Sequence, residues 1–524
     1  MKRALLLLPI VPIAVWLARP EVTTIHPVLA PLAALAIGLF AALAAGGVAR
    51  EPTLSPRAGL AVAAGLAVAY GVTLSVFHLQ HHRNLGTSTW DLGIYVNTLW
   101  HTARGEWMAC SLLSSGTDLT AHFEPALTLL APLFWSEHGV ELLLVFQAVW
   151  IGLAAVPLYQ LAREHLAPWA SAAIAAAWLL HPAVHGFNLW DFHTLSLIAL
   201  PIYAALWALE RGRTVAWLAW LVLLMGMRED MPLVAIGMGL WAILRGERAG
   251  LGIATIVLAA AWFAAAKLWI MTDAESYASY YAALQIEGKS IYESILVTAV
   301  TRPLFLLQHL VSAGKPVFLL QVFVPLLLLP VLAGRRWVLF LYGLAILLLA
   351  SKPAVFSIAF QYTNLLLPFL FAATPPVIAR LGRRFGVVPL VAGVLAASLA
   401  MSARYGVLVP NDAFRAGPRS FQRAPGKNTR ARWETVEKAK ALVPGEAAVV
   451  VSSRVGPHFS SRDRVWQFKK HQKRGEVADY VVVLTTDTRE EYEANKLAEL
   501  RASARWEIVL EENDVVVFRR VSPT

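Results

Sequence analysis

The chain is 524 residues long, 57% hydrophobic and only 15% charged, with a mean hydropathy of +0.57, far from the roughly 45–50% apolar and 25% charged composition of soluble domains. That leaves a polytopic membrane protein, while the single Cys110 excludes a disulfide framework or a cysteine-based zinc site. The net charge of +11 would suggest nucleic acid in a soluble chain; here it is expected as arginine in cytoplasmic loops, with no nucleic-acid partner.

Met1-Lys2-Arg3 and apolar residues 4–18 have the form of a signal peptide, but Arg19-Pro20-Glu21 replaces a small-residue cleavage site, so the segment reads as a retained first span. Apolar segments follow at 27–48, 58–79, 140–162, 167–182, 194–209, 214–227, 231–244, 249–271, 316–333, 337–350, 363–379 and 386–403, an estimate of thirteen spans. Several are shorter than the roughly 20 residues of a perpendicular crossing. With the N-terminus cytoplasmic, the inner segments carry 14 Lys/Arg against 4 Asp/Glu, and the outer loops before residue 404 carry 9 against 14. This charge asymmetry predicts a cytoplasmic (inner) membrane protein whose tail is extracytoplasmic.

The tail, 404–524, holds 22 of the 45 basic and 16 of the 34 acidic residues and reads as soluble. Residues 404–432 read as a linker and 433–524 as a small domain. Trp433 to Leu442 is predicted helical, Ala447 to Ser452 and Ala478 to Leu484 are apolar strands, and Thr488 to Ser503 is a helix. Trp506 to Leu510 and Val515 to Phe518 form a hairpin around Glu512-Asn513. The expected fold is mainly α: a transmembrane helix bundle over 1–403 with a C-terminal α/β domain.

Ionisable side chains near hydrocarbon are costly, so their placement points to function. They gather in the outer loops: Asp91 in Trp90-Asp91-Leu92-Gly93; Asp118, His122 and Glu124; Asp191 and His193; Arg228-Glu229-Asp230; and Lys352 with Gln361 and Tyr362. Together they describe a polar cavity for a phosphate-linked, hydroxylated substrate, although each taken alone also fits a capped or solvated helix end. Arg228-Glu229-Asp230 has almost no loop around it and is expected to be paired and buried. Asp91 is the candidate general base for an acceptor hydroxyl, its alternative being a helix cap. It opens an amphipathic stretch, Leu92, Tyr95, Val96, Leu99 and Trp100, that fits the membrane interface. His122 and Glu124 are weak candidate ligands for a divalent metal, lacking a third ligand at diagnostic spacing. His181 and His185, interrupted by Pro182, are expected to be structural.

Trp90-Asp91-Leu92-Gly93-Ile94, Ala121-His122-Phe123-Glu124-Pro125, Asp191-Phe192-His193, Arg228-Glu229-Asp230-Met231-Pro232-Leu233, Gln361-Tyr362 and Val455-Gly456-Pro457-His458-Phe459-Ser460 resemble the blocks of a prokaryotic multipass membrane family, domain of unknown function 2079, over about residues 58–520. That family is similar to the integral-membrane glycosyltransferases of the C superfamily, which use polyprenyl-phosphate sugars and place an acid in the first large outer loop. The resemblance puts Asp91 at that place, followed by Leu92 and Gly93 rather than by a second acid.

The resulting expectation is an enzyme that transfers a sugar from a polyprenyl-phosphate donor, drawn from the membrane lipid, to an acceptor on the outer face. Asp91 would be the base, Arg228 the phosphate ligand with Lys352 and Lys267 in reserve, and His122, Glu124, Asp191, His193, Glu229, Asp230, Gln361 and Tyr362 would line the cavity. The alternative is a transporter or lipid flippase, which would call for inverted repeats and mid-span polar residues that the sequence lacks. A scaffold presenting the tail is a third reading.

Overall fold

The computed structural model describes residues 9–17, 27–46, 50–271, 278–469, 477–488 and 490–521. Residues 4–8 and 18 of the first expected span, 47 and 48 of the second, and the Arg19-Pro20-Glu21 junction lie outside these. Each of the thirteen apolar segments carries helix among the described residues, but helix lengths do not by themselves confirm thirteen crossings. Among the described residues, Pro56–Arg83, Gly139–Ala162, Ala249–Ile270 and Val387–Tyr405 are long and apolar enough to cross a bilayer. Two further pairs qualify as bent spans, Pro168–Leu180 with Pro182–Leu189 at 48° and Pro303–Leu310 with Lys315–Leu326 at 53°. The first bend follows from Pro182, which excludes helical geometry at His181 (ψ 124°). At the second, Gly314 takes a left-handed φ of 84° ahead of Pro316.

The helix Pro56–Arg83 starts where Ser55 accepts the Ala58 amide at 3.1 Å, and its 28 residues reach about 42 Å. One side exposes Val62, Leu66, Val68, Val72 and Val76, whereas Ala63, Ala67, Tyr70 and Leu74 are buried. A helix apolar all round suits contact with protein on one side and lipid on the other. Its partner is Gly139–Leu153, approached through small residues: a Cβ on Gly152 would lie 2.8 Å from the Ala67 carbonyl oxygen.

The tail forms a five-stranded sheet of order β4-β3-β5-β7-β6, with β3 (Val449–Val451), β4 (Val465–Gln467), β5 (Tyr480–Leu484), β6 (Trp506–Glu512) and β7 (Val515–Arg520). β4, β3 and β5 run parallel, and β7 is antiparallel to β5 and β6. The β6–β7 turn falls on Asn513-Asp514, one residue later than expected, because both take positive φ (48° and 66°), as a tight hairpin requires. Helix Glu491–Ala502 covers one face through Leu497 and Leu500. The other face packs on Val436 and Ala439 of helix Lys427–Leu442 and on Leu85, Ile94, Cys110, Leu112 and Leu113 of the bundle's first large loop, in one continuous core. The segment read as a linker is itself seated on the bundle: β1 (Arg415–Ala416) and β2 (Arg419–Ser420) form a hairpin whose Gly417 donates its amide to the Ala359 carbonyl at 2.9 Å.

Candidate active site

The chain leaves helix Pro56–Arg83 and re-enters helix at Ile94–Thr102 through a π-helical turn, Thr89–Gly93. Such turns are frequent at functional sites. This one buries Thr89, Leu92 and Gly93 and turns Trp90 and Asp91 outward. Asp91 is not a helix cap. Its Oδ2 accepts the Ser88 hydroxyl at 2.9 Å and its Oδ1 lies 3.3 Å from His193 Nε2. The other ring nitrogen of His193 faces the Trp190 carbonyl at 3.2 Å. Ser88 also donates its amide to Asp191 Oδ2 at 3.0 Å, joining the two carboxylates through one residue. Asp191 is fully buried in the left-handed region (φ 39°), and its Oδ1 has no partner among the described residues. Burial, with the Asp91 charge added, pushes its carboxyl up to about 8. Gln147 holds this strained turn, donating to the Asn188 and Asp191 carbonyls at 2.7 and 2.5 Å and accepting the His193 amide at 3.1 Å.

A second cluster lies beside the first, and Tyr95 connects them: its ring meets His193 edgewise at 5.8 Å and its hydroxyl donates to Glu124 Oε1 at 3.4 Å. Glu124 is fully buried, accepts the Thr194 hydroxyl at 2.6 Å, and has an Oε2 without a partner among the described residues. Burial raises its carboxyl to about 8, and that of Asp118 to about 6. His122 Nδ1 sits 3.2 Å from both Glu229 oxygens. Burial opposes the imidazolium, but the Glu229 carboxylate outweighs it and His122 rises to about 9, while His122 and Arg228 hold Glu229 below the usual carboxylate range against the effect of its own burial. Arg228 grips Asp230 with two bonds of 2.6 and 2.5 Å, and the Tyr342 hydroxyl donates to Asp230 at 2.5 Å. All three of Arg228-Glu229-Asp230 are paired, Arg228 and Glu229 buried and Asp230 partly so, within a five-residue turn between helices Thr214–Met225 and Met231–Leu244.

Tyr362 lies in the fields of both Asp91 and Arg228, which ties the clusters to the 361–365 turn. Its ring meets Tyr280 at 6.3 Å, and Lys352 Nζ stands 4.1 Å above the Tyr280 ring. Gln361 is buried, with Oε1 unpartnered among the described residues. Lys267 reaches Met271 Sδ at 3.7 Å. Neither lysine forms an ion pair among the described residues. His122 and Glu124 do not share a three-donor set; the one such set among the described residues is His101, Glu106 and Asp463, within 4.8 Å of one another at the seam with the tail. His181 and His185 are structural, each ring bonded to backbone.

The sequence profile of the DUF2079 family, described as a predicted membrane protein, matches residues 81–517. The chain belongs to this family. Two crystal structures of ArnT from Cupriavidus metallidurans, one bound to undecaprenyl phosphate and one in the apo state, are similar to it at 13% identity. The matches cover 88% of this chain and 98% of that chain, with TM-scores of 0.47 and 0.46. No curated protein matches the chain.

The DUF2079 match spans both clusters and nearly all of the tail. Sequence reasoning overlooked Ser88, Gln147, Thr194 and Tyr342, and read Tyr95 only as part of an amphipathic stretch. Of these, Gln147 carried a signal, as the one amide in the apolar run Leu142–Leu153. The stretch from Leu92 to Trp100 does not lie exposed in an interface. Residues 94–99 are all buried, because one side packs on the bundle and the other beneath the tail.

Proposed function

We propose that this DUF2079 protein transfers a sugar from a polyprenyl-phosphate donor to an acceptor on the outer face of the cytoplasmic membrane. Asp91 carries the reading. Its side chain is 25% exposed, stands at the mouth of an otherwise buried acid cluster, and is oriented by Ser88 and His193 with no lysine or arginine ion pair among the described residues. Taking a proton from an acceptor hydroxyl needs a base placed this way, and a departing phosphate needs a cation opposite it. Arg228 is the candidate: its pair with Asp230 uses Nε and one terminal nitrogen and leaves the other terminal nitrogen outside that pair. Glu124, Asp191, Gln361 and Tyr362 would orient sugar hydroxyls, Lys352 and Lys267 would supply further positive charge, and the lipid would supply the donor from the plane of the membrane.

The test is a comparison of lipid-linked sugars extracted from cells with and without the protein. A transferase leaves its donor accumulated when it is deleted; an unchanged pool overturns the reading. Reporter fusions after residues 384 and 410 test the orientation, since alkaline phosphatase should be active only after the second.

A further inference from the structure

We infer that the C-terminal α/β domain is a clamp that sets the position of the Asp91 turn, with Thr89, Asn97 and Gly456 as its positioning residues. The catalytic consequence rests on the transferase reading; the clamp does not.

In open α/β sheets the crevice outside the carboxyl ends of the parallel strands, where the strand order reverses, receives the ligand. In this sheet the reversal falls at β3, which has β4 on one side and β5 on the other. What enters the crevice is the bundle's own turn. Thr89 donates both its amide and its hydroxyl to the Ser453 carbonyl, at 2.7 Å each, just beyond the end of β3. Gly456 leaves room for this approach: a Cβ there would fall 1.7 Å from Thr89 Oγ1, and its three nearest atoms would all belong to Thr89. The Gly456 backbone does not take a positive φ, so close approach rather than conformation calls for glycine. Six residues beyond Asp91, the fully buried Asn97 has every side-chain hydrogen bond committed at the same seam. It donates to the Ser460 and Arg462 carbonyls at 3.0 and 2.8 Å and accepts from the Ser111 amide and hydroxyl at 2.8 and 3.2 Å. From the hairpin, Arg419 donates to the Gly86 and Thr87 carbonyls at the start of the turn. Asp91 is therefore fastened on both sides by the tail, and a shift of about 1 Å in a reacting group can cost about 10²-fold in rate.

The test is hydrogen exchange of the full-length protein in detergent, read on residues 88–97 and on strands β5 and β7, for Gly456→Ala, Thr89→Val and Thr89→Ser. The clamp predicts exchange in 88–97 faster by about fivefold or more in Gly456→Ala and Thr89→Val, the effect of roughly one hydrogen bond on local opening, with the strands still protected and Thr89→Ser near the parent. Unchanged exchange in 88–97 with the strands intact overturns it, as does Thr89→Ser behaving like Thr89→Val. If Gly456→Ala loses strand protection, Thr89→Val, which alters only the bundle side, decides. In cells, Gly456→Ala and Thr89→Val should accumulate the same lipid-linked sugar as Asp91→Asn at parental protein levels. Accumulation in Asp91→Asn alone removes the positioning role, whereas no accumulation in any variant, with exchange still altered, overturns the transferase reading and leaves the clamp standing.

Discussion

Two acid clusters share one end of the helix bundle and treat charge in opposite ways. Beside Arg228 two carboxylates each have a cationic partner, Asp230 the guanidinium and Glu229 His122, while the buried Glu124 has no ion pair among the described residues. Around Asp91 two carboxylates share one serine, one of them lies in a left-handed backbone, and its second oxygen is unpartnered among the described residues. Paired buried charges hold a structure together, whereas under-compensated ones persist where the surrounding fold enforces them and chemistry uses them. On the transferase reading, the Arg228–Asp230 and His122–Glu229 pairs are chiefly architectural and the Asp91–Asp191 carboxylates chiefly reactive.

The most direct way to break that division is Asp91→Asn. Loss of a general base should lower sugar transfer by about 10²–10⁴-fold, read as accumulated lipid-linked donor, while the melting temperature in detergent holds or rises because a negative neighbour of Asp191 has gone. A large fall in melting temperature would move Asp91 into the architecture and erase the contrast.

Next in size is Arg228→Ala, which strands Asp230 and should cost roughly 3–5 kcal/mol, the usual penalty for breaking a buried pair from one side. Arg228→Lys keeps the charge but not the planar fork and should lie between the two. Polyprenyl phosphate decides whether Arg228 also serves the donor: if it does, the lipid raises the melting temperature of the parent and much less that of Arg228→Lys. Equal stabilisation of both removes Arg228 from the phosphate site.

The uneven legibility of the sequence has the same physical root as the two clusters. Apolar segments turned into helices because composition alone drives them out of water, and Pro182 interrupts the first bent pair, but helix Pro303–Leu310 and the bend at Gly314 lie outside the apolar segments read from the sequence. Strand β4 escaped notice because three residues, Val465–Gln467, are too short to show a period. Topology gathered the ionisable residues at one end of the bundle, but not the pairings, since Asp91 meets His193 across 102 positions and His122 meets Glu229 across 107. The docked tail was the least legible feature. Asn97 and Thr89 look like ordinary polar residues on a helical segment until Ser453 and Ser460 arrive from more than 350 residues away.

The smallest effect sharpens the contrast through pH, because paired charges titrate as stability. His122 is raised from 6.5 to about 9, so its contribution is complete below pH 6.5 and is lost as pH rises through about 9. Glu124 is raised from 4.5 to about 8; the unfolded chain releases this proton first, so stability also falls between pH 4.5 and 8. Glu229 is lowered from 4.5 by its His122 partner despite its burial, and its contribution disappears only as pH falls below the ordinary carboxylate range. Stability should therefore be greatest in mildly acidic buffer and decline toward pH 9. The part due to His122 is on the order of 1–2 kcal/mol, discounted because its side chain is 28% exposed. Melting curves in detergent from pH 5 to 9 read this directly. His122→Gln should flatten the upper part of the decline, and Glu124→Gln, a neutral side chain that can still accept from Thr194, should flatten the lower part. An unchanged decline in His122→Gln would mean that the His122–Glu229 pair carries no stability, and the two clusters would no longer differ in kind.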